Sequence, residues 1–325
     1  MKVSIIGCGL IGMKRAEALS EDIQLIGCYD VDQEKSNAFA KKFNIRAFNS
    51  LDALFSFQNL DFVIIATRHD SLAEISIQSI KAGINVFVEK PGAINYQELK
   101  NVIYNAKKKN IKIHIGFNHR YHPAIVKARE IITSGEIGDL MFLRGMYGHG
   151  GRVGYEKEWR ADKAKSGGGE LIDQGSHLLD LSLGFLGNLS LDYAAIPSYF
   201  WDMPVEDNAF ISLKNDYGNI AFLHASCTEW KNMFSLEIYG KSGKIHISGL
   251  GRSYGTETLT LHKMSPEMGP PISNTWEYAE TDNSWRIELE EFSTDLIKGS
   301  SNSDNRSSSL EVLRLIGEIY QRSGK

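Results

Sequence analysis

The sequence predicts an α/β chain, with an N-terminal doubly wound parallel sheet followed by an α+β domain carrying an open, mostly antiparallel sheet. Three observations predict it. Over the first 120 residues short apolar runs alternate with amphipathic stretches, the rhythm of strand–helix–strand units. A glycine-rich turn follows the first apolar run directly. Beyond residue 120 closely spaced strand-like runs take over.

In the first part, residues 3–6, 25–29, 62–66, 84–88 and 111–115 read as strands. The first four are nearly continuous in apolar residues, as parallel strands covered on both faces require. Helical patterns lie between them at 10–20, 32–43, 70–82 and 95–109, the last with Leu99, Val102, Ile103 and Ala106 at helical spacing. In the second part a helix is expected over 123–134, stopped by Gly135, and an apolar helix after glycines 167–169. Strand-like runs follow at 191–199, 208–214, 218–226, 234–240 and 244–248, with Lys241-Ser242 as a hairpin turn. The Ser/Asn-rich stretch 299–309 reads as a flexible loop. It leads into a last helix, where Ser308 and Glu311 have capping-box spacing and Leu310, Leu313, Ile316 and Tyr320 share a face. The expected domains are 1–120 and 121–325, with the last helix, 309–323, packing back on the first.

Composition narrows the class. The 325 residues are 42% hydrophobic and 23% charged, a globular profile. A net charge of −4 and a pI near 6.2 give no reason to expect a nucleic-acid or anionic-membrane partner. Cys8, Cys28 and Cys227 are too few for a disulfide framework and read as reduced thiols. The first residues are broken by Gly7, Gly9 and Gly12, unlike a signal peptide, and no apolar run reaches the roughly 18 residues of a membrane span. A cytoplasmic protein is expected.

The strongest local signal is Gly7-Cys8-Gly9-Leu10-Ile11-Gly12, set after a strand and opening a helix. Gly7 permits the tight turn, Gly9 lets a pyrophosphate approach the backbone, and Gly12 allows close helix–sheet packing. Leu10 and Ile11 contribute backbone there. Asp30 ends the second strand, where a carboxylate accepts from ribose hydroxyls and repels a 2′-phosphate. That pattern points to NAD, with NADP possible because Lys35 or a nearby loop could take a phosphate.

Glu89-Lys90-Pro91 stands at the end of the fourth main strand, the carboxyl edge where open α/β sheets bind ligands. Taken alone, Lys90 is also what a surface lysine looks like. Pro91 either stops the strand or holds a cis peptide. In the segment 167–180, Asp173 and His177 fall four apart, on one face of the expected helix, and the glycines let backbone run close to a substrate. A carboxylate beside an imidazole suits acid–base work, though a core histidine satisfied by a neighbour gives the same pattern.

With Val63-Ile64-Ile65-Ala66-Thr67, Gly116-Phe117-Asn118-His119-Arg120-Tyr121 and Trp159-Arg160 added, nearly the whole chain resembles the glucose–fructose oxidoreductase, inositol dehydrogenase and rhizopine-catabolism family, Gfo/Idh/MocA. The resemblance implies a Rossmann domain and a C-terminal domain whose open sheet often mediates dimers or tetramers. It implies Lys90 as catalytic lysine near the reacting oxygen and the nicotinamide, so at the cofactor as well. It implies His177 as acid–base residue with Asp173 as partner, both also against substrate, and Thr67 and Glu89 along the cofactor. One departure is Leu72, where the family often carries histidine; that contact is missing or supplied by His69.

The expected reaction is hydride transfer between nicotinamide and a secondary alcohol or ketone of a sugar, cyclitol or nucleotide sugar, with no metal. Arg120, Tyr121, Arg152, Trp159 and Arg160 are candidate substrate contacts, in a segment whose residues 149–155 look like a mobile loop. Which of Lys90 and His177 is the immediate base stays open. Two alternatives are a tightly held NAD that oxidises a sugar only transiently, and a non-catalytic regulatory protein on the same fold. A metal enzyme using His149, Asp173 and His177 lacks a compact ligand motif.

Overall fold

The computed structural model describes residues 1–57, 59–267, 269–299 and 303–324. In chain order its elements are β1 (Lys2–Ile6), α1 (Leu10–Glu17), β2 (Gln24–Tyr29), α2 (Gln33–Phe43), β3 (Arg46–Ala47), α3 (Leu51–Phe55), β4 (Phe62–Ile65), α4 (His69–Lys81), β5 (Asn85–Glu89), α5 (Tyr96–Lys109) and β6 (Ile113–Gly116). Then come α6 (Pro123–Thr133), β7 (Leu140–Gly148), α7 (Lys163–Ser166), α8 (Ser176–Leu186), β8 (Ser190–Ala195), β9 (Asn208–Lys214), β10 (Ile220–Ser226), β11 (Met233–Gly240), β12 (Gly243–Ser248), β13 (Glu257–Lys263), β14 (Ile272–Tyr278), α9 (Ser284–Lys298) and α10 (Ser303–Arg322). The chain splits into two compact units: Met1–Phe117 with Trp285–Glu311, and Asn118–Ser284 with Val312–Lys325.

The first unit holds a six-stranded parallel sheet in the order β3-β2-β1-β4-β5-β6. Val3, Ile5, residues 62–65 and 86–88 are fully buried, which explains their unbroken apolar runs. Helix ends follow local chemistry. Asp32 caps α2 by accepting from the amides of Glu34 and Lys35, Asn95 caps α5 through the amide of Glu98, and Asn44 and Asn110 close the same helices with left-handed backbone. The edge strand β6 is completed by a side chain. Asn305 accepts from the Ile115 amide at 2.9 Å and donates to the Ile115 carbonyl at 3.0 Å, as a neighbouring strand would.

That contact bears on the expected loop. Residues 300–302 lie outside the described residues, but 303–309 are helical, so the loop reading is corrected there. Ser308 and Glu311 sit inside α10 rather than at its start. The weak helix preference of Ser and Asn is overridden by the anchored Asn305, whose carbonyl accepts from the hydroxyls of Ser308 and Ser309.

The second unit holds an eight-stranded sheet in the order β14-β13-β12-β11-β7-β10-β9-β8. β7 and β10 run parallel and the other pairs antiparallel. The hairpin at Lys241-Ser242 joins β11 to β12. Leu223, Leu236, Ile238, Ile245 and Ile247 fill the covered face, while Tyr193, Ile220 and Phe222 stand exposed on the other. Among the described residues no helix is long and apolar enough to cross a membrane.

Candidate active site

In the first unit the fingerprint turn is shaped by its own backbone. Gly7 has φ +99°, and a Cβ there would lie 2.5 Å from the Ala66 carbonyl oxygen, while a Cβ on Gly12 would strike the Gly7 carbonyl. Gly9 differs. It is the N-cap of α1, no side chain caps the helix, and a Cβ would meet nothing within 4 Å. The first turn of α1 thus takes no side-chain cap and the backbone at Gly9 can be approached closely, which suits a pyrophosphate. Asp30 accepts from the Cys8 amide at 2.7 Å and the Asp32 amide at 2.9 Å, fixing the strand-end carboxylate to the glycine turn. Leu10 is exposed and Thr67 half-buried, its hydroxyl accepting from Ser71 at 2.9 Å. These residues fit a dinucleotide.

Lys90 is half-buried directly after β5, and its bond to Pro91 is cis. Glu89, expected along the cofactor, has its carboxylate turned to Arg15, whose Nε donates at 2.5 Å. Leu72 is fully buried in α4, and His69 is buried in the first turn of the same helix.

In the second unit the predicted helix begins as a π turn. Residues 171–175 are π-helical and α8 starts at Ser176, so α-helical spacing does not govern the Asp173–His177 pair. Single π turns inside helices recur at functional sites because they re-aim side chains. Asp173 Oδ2 accepts from Arg160 Nε at 2.9 Å. Burial works against the Arg160 charge, but Asp173 outweighs it and raises the guanidinium above its ordinary value. The His177 ring stacks on His119, centroids 3.7 Å apart, and the Tyr147 ring meets His119 edge-on at 5.0 Å.

Two of the glycines before this turn, expected to let backbone run close to a substrate, are crowded by the protein itself. A Cβ on Gly168 would overlap the Tyr320 hydroxyl, and one on Gly169 the Glu206 carbonyl. Glu206 in turn accepts from the amides of Gly169 and Leu171 and from Tyr320 Oη at 2.7 Å, which anchors the start of the turn.

Of the arginines expected at substrate, Arg120 is bound by two hydrogen bonds to the buried Asp180. Arg152, exposed, pairs with Glu158 at 2.7 Å, and Arg160 holds Asp173 while stacking on Trp159 at 4.6 Å. Tyr121 is buried. The sequence missed a neighbouring group centred on the buried Glu170. Its Oε1 accepts from Tyr155 Oη at 2.7 Å and lies 3.6 Å from His149 Nε2. Burial disfavours charge on His149, yet Glu170 outweighs it and raises the imidazole. Geometry favours the neutral ring all the same, because Nδ1 accepts the Gly151 amide at 3.0 Å. Arg15 was also missed. Its signal was available: Gly12, Arg15 and Ala16 are the buried positions of α1, at i, i+3 and i+4. Among the described residues no group of three or more His, Cys, Asp or Glu side chains could hold a metal ion.

Residues 1–117 match the family model described as the oxidoreductase family with NAD-binding Rossmann fold, and residues 125–246 match the GFO/IDH/MocA C-terminal domain. The chain belongs to the Gfo/Idh/MocA family. Among its relatives, glucose-6-phosphate 3-dehydrogenase of Bacillus subtilis (strain 168) is 29% identical over 184 residues, 55% of this chain and 52% of that protein. The chain thus spans about half the length of the first curated relatives it matches. Trans-1,2-dihydrobenzene-1,2-diol dehydrogenase of Mus musculus is 27% identical over 281 residues, 84% of this chain and 81% of that protein. Levoglucosan dehydrogenase, solved with NADH and levoglucosan, shares the Gfo/Idh/MocA fold: TM-score 0.90, 21% identity, covering 100% of this chain and 97% of that one.

Proposed function

We propose that this Gfo/Idh/MocA protein is an NAD-dependent dehydrogenase or reductase acting on a secondary alcohol or ketone of an uncharged sugar or cyclitol. The observation that carries the reading is the pair of prepared sites. One is the uncapped α1 N-terminus with Asp30 tied to the glycine turn; the other is the Arg160–Asp173 pair on the π turn that leads to His177. The uncharged substrate follows from the guanidinium pairing. Arg120, Arg152 and Arg160 each already hold a carboxylate, so an added phosphate would compete with an existing ion pair. Asp30, with both oxygens held by backbone amides, favours ribose hydroxyls over a 2′-phosphate.

When bound, the nicotinamide supplies the hydride acceptor or donor. In the oxidising direction His177 takes the hydroxyl proton. Lys90 stabilises negative charge on the same oxygen. Asp173 orients the imidazole, itself held by Arg160. The open face of the eight-stranded sheet, where Tyr193, Ile220 and Phe222 stand exposed beside Arg144 and Lys214, is the surface we assign to a homodimer or homotetramer. The three free, buried thiols suit a reducing, cytoplasmic setting.

The test is Lys90→Ala. NAD affinity should stay within about threefold while turnover is lost, because a group acting only on the reacting oxygen affects kcat rather than cofactor binding. Near-normal turnover would remove Lys90 from the mechanism.

A further inference from the structure

Arg15 is a charged side chain with no exposure, on the helix that opens with the fingerprint glycines. Its guanidinium is fixed on every side. Nε donates to Glu89 at 2.5 Å, Nη2 to Glu288 of α9 at 2.7 Å, and Nη1 to the Trp285 carbonyl at 3.3 Å. The Phe87 and Trp285 rings lie 4.4 and 4.5 Å from its central carbon. Glu288 also meets His114 Nε2 of β6 at 3.2 Å. A Cβ on Gly116 would come within 2.8 Å of Arg15 Nη2, so the end of β6 must be glycine for the guanidinium to fit.

A planar fork gripping two carboxylates is far less adjustable than a surface ion pair, and removing it leaves buried charge without a partner. Burial pushes the Glu89 carboxyl up, against the pull of Arg15, while the same guanidinium and His114 overcome burial and hold Glu288 below the usual carboxylate range. Glu89 is the last residue of β5, and Lys90 is next in the chain. Whatever fixes Glu89 leaves the Lys90 backbone one residue of torsional freedom.

Resting on the function proposed above, we infer that Arg15 is a positioning residue for Lys90, acting through Glu89 and braced from α9 by Glu288. The late segment carrying Glu288 is then part of the apparatus that sets the lysine, and not only a cover for the sheet. A stabilising role alone would lower the melting temperature of Arg15 variants and leave Lys90 where it is.

The experiment reads Lys90 directly. Lysines are reductively methylated with ¹³C-formaldehyde, and the Lys90 resonance is assigned by its loss in Lys90→Arg. Arg15→Lys, which keeps the charge but not the fork, and Glu288→Gln, which removes the negative charge of one brace, are compared with the parent chain. In both folded variants the Lys90 resonance should move toward the exposed lysines, further in Arg15→Lys. An unmoved resonance in both would overturn the inference. With the sugar the parent chain oxidises, kcat of Arg15→Lys should fall between about tenfold and a hundredfold with NAD affinity held, the cost of a misplacement near one ångström. Unchanged kcat would overturn the inference too. Absence of turnover in the parent chain would count against the proposed function, while the resonance would still decide the role of Arg15.

Discussion

Asp207 gives a perturbation whose size can be worked from contacts. It is fully buried, and its carboxylate accepts from three successive amides: Tyr199 at 2.9 Å, Phe200 at 2.7 Å and Trp201 at 3.1 Å. Asn208 Nδ2 adds a fourth donor at 3.0 Å. Burial disfavours the charge, but these donors outweigh it and hold the carboxyl below the usual carboxylate range. The loop it fixes carries Trp201, whose ring lies 5.5 Å from that of Tyr155, the partner of Glu170. Asp207→Asn keeps the shape but turns one acceptor into a donor facing donors. Bonds to a charged group are worth about 1.5–3 kcal/mol and neutral ones about 0.5–1.5, so the loss should be about 2–4 kcal/mol. For a unit of this size that is roughly 5–15 °C in melting temperature. The pH dependence has a fixed sign. A lowered folded pKa contributes stability that is present above the ordinary Asp value of 3.8 and lost as pH falls through the folded value. Thermal unfolding followed by circular dichroism should show the full gap at neutral pH, closing in acid. A gap under about 2 °C at neutral pH, or one independent of pH, would mean that the charged Asp207 carboxylate does not hold this loop.

Two further outcomes follow from the cofactor cradle. Asp30→Ala should weaken NAD far more than NADP in fluorescence titrations; equal losses would mean that this carboxylate does not read the ribose. Gly12→Ala forces a methyl group onto the Gly7 carbonyl, so the loss should fall on NAD affinity and on stability by at least about 1–3 kcal/mol; wild-type binding would show that the turn relaxes freely.

Much of the first unit was legible because its signals are local. Continuous apolar strands, helical spacing such as that of Leu99, Val102 and Ala106, and the glycine turn each act within a few residues. The misses are non-local or short. β3 and α3 span two and five residues, below the length at which periodicity registers. β7 sits mid-sheet, but Arg144 and Gly145 interrupt its apolar run. α9 was not expected at all, and with it went the Arg15–Glu288 pair, which joins residues 273 positions apart. In the second unit the Asp173 and His177 candidates could be named from their motif. The π turn could not: its start is held by Glu206, which accepts from the amides of Gly169 and Leu171 from more than thirty residues further along the chain. Gly168 and Gly169 show the same limit: the glycine run was visible, but their crowding by Tyr320 and Glu206 comes from distant chain.

In the function proposed above, this chain moves a hydride between NAD and an uncharged sugar or cyclitol. The most direct measurement mixes purified protein with NAD and a panel of neutral sugars, cyclitols, sugar phosphates and nucleotide sugars, following NADH absorbance, with His177→Ala beside it. NADH should form with a neutral member, less or not at all with its phosphate, and the signal should be lost in His177→Ala. Silence across the panel despite NAD binding, or turnover that survives in His177→Ala, would contradict the proposed function.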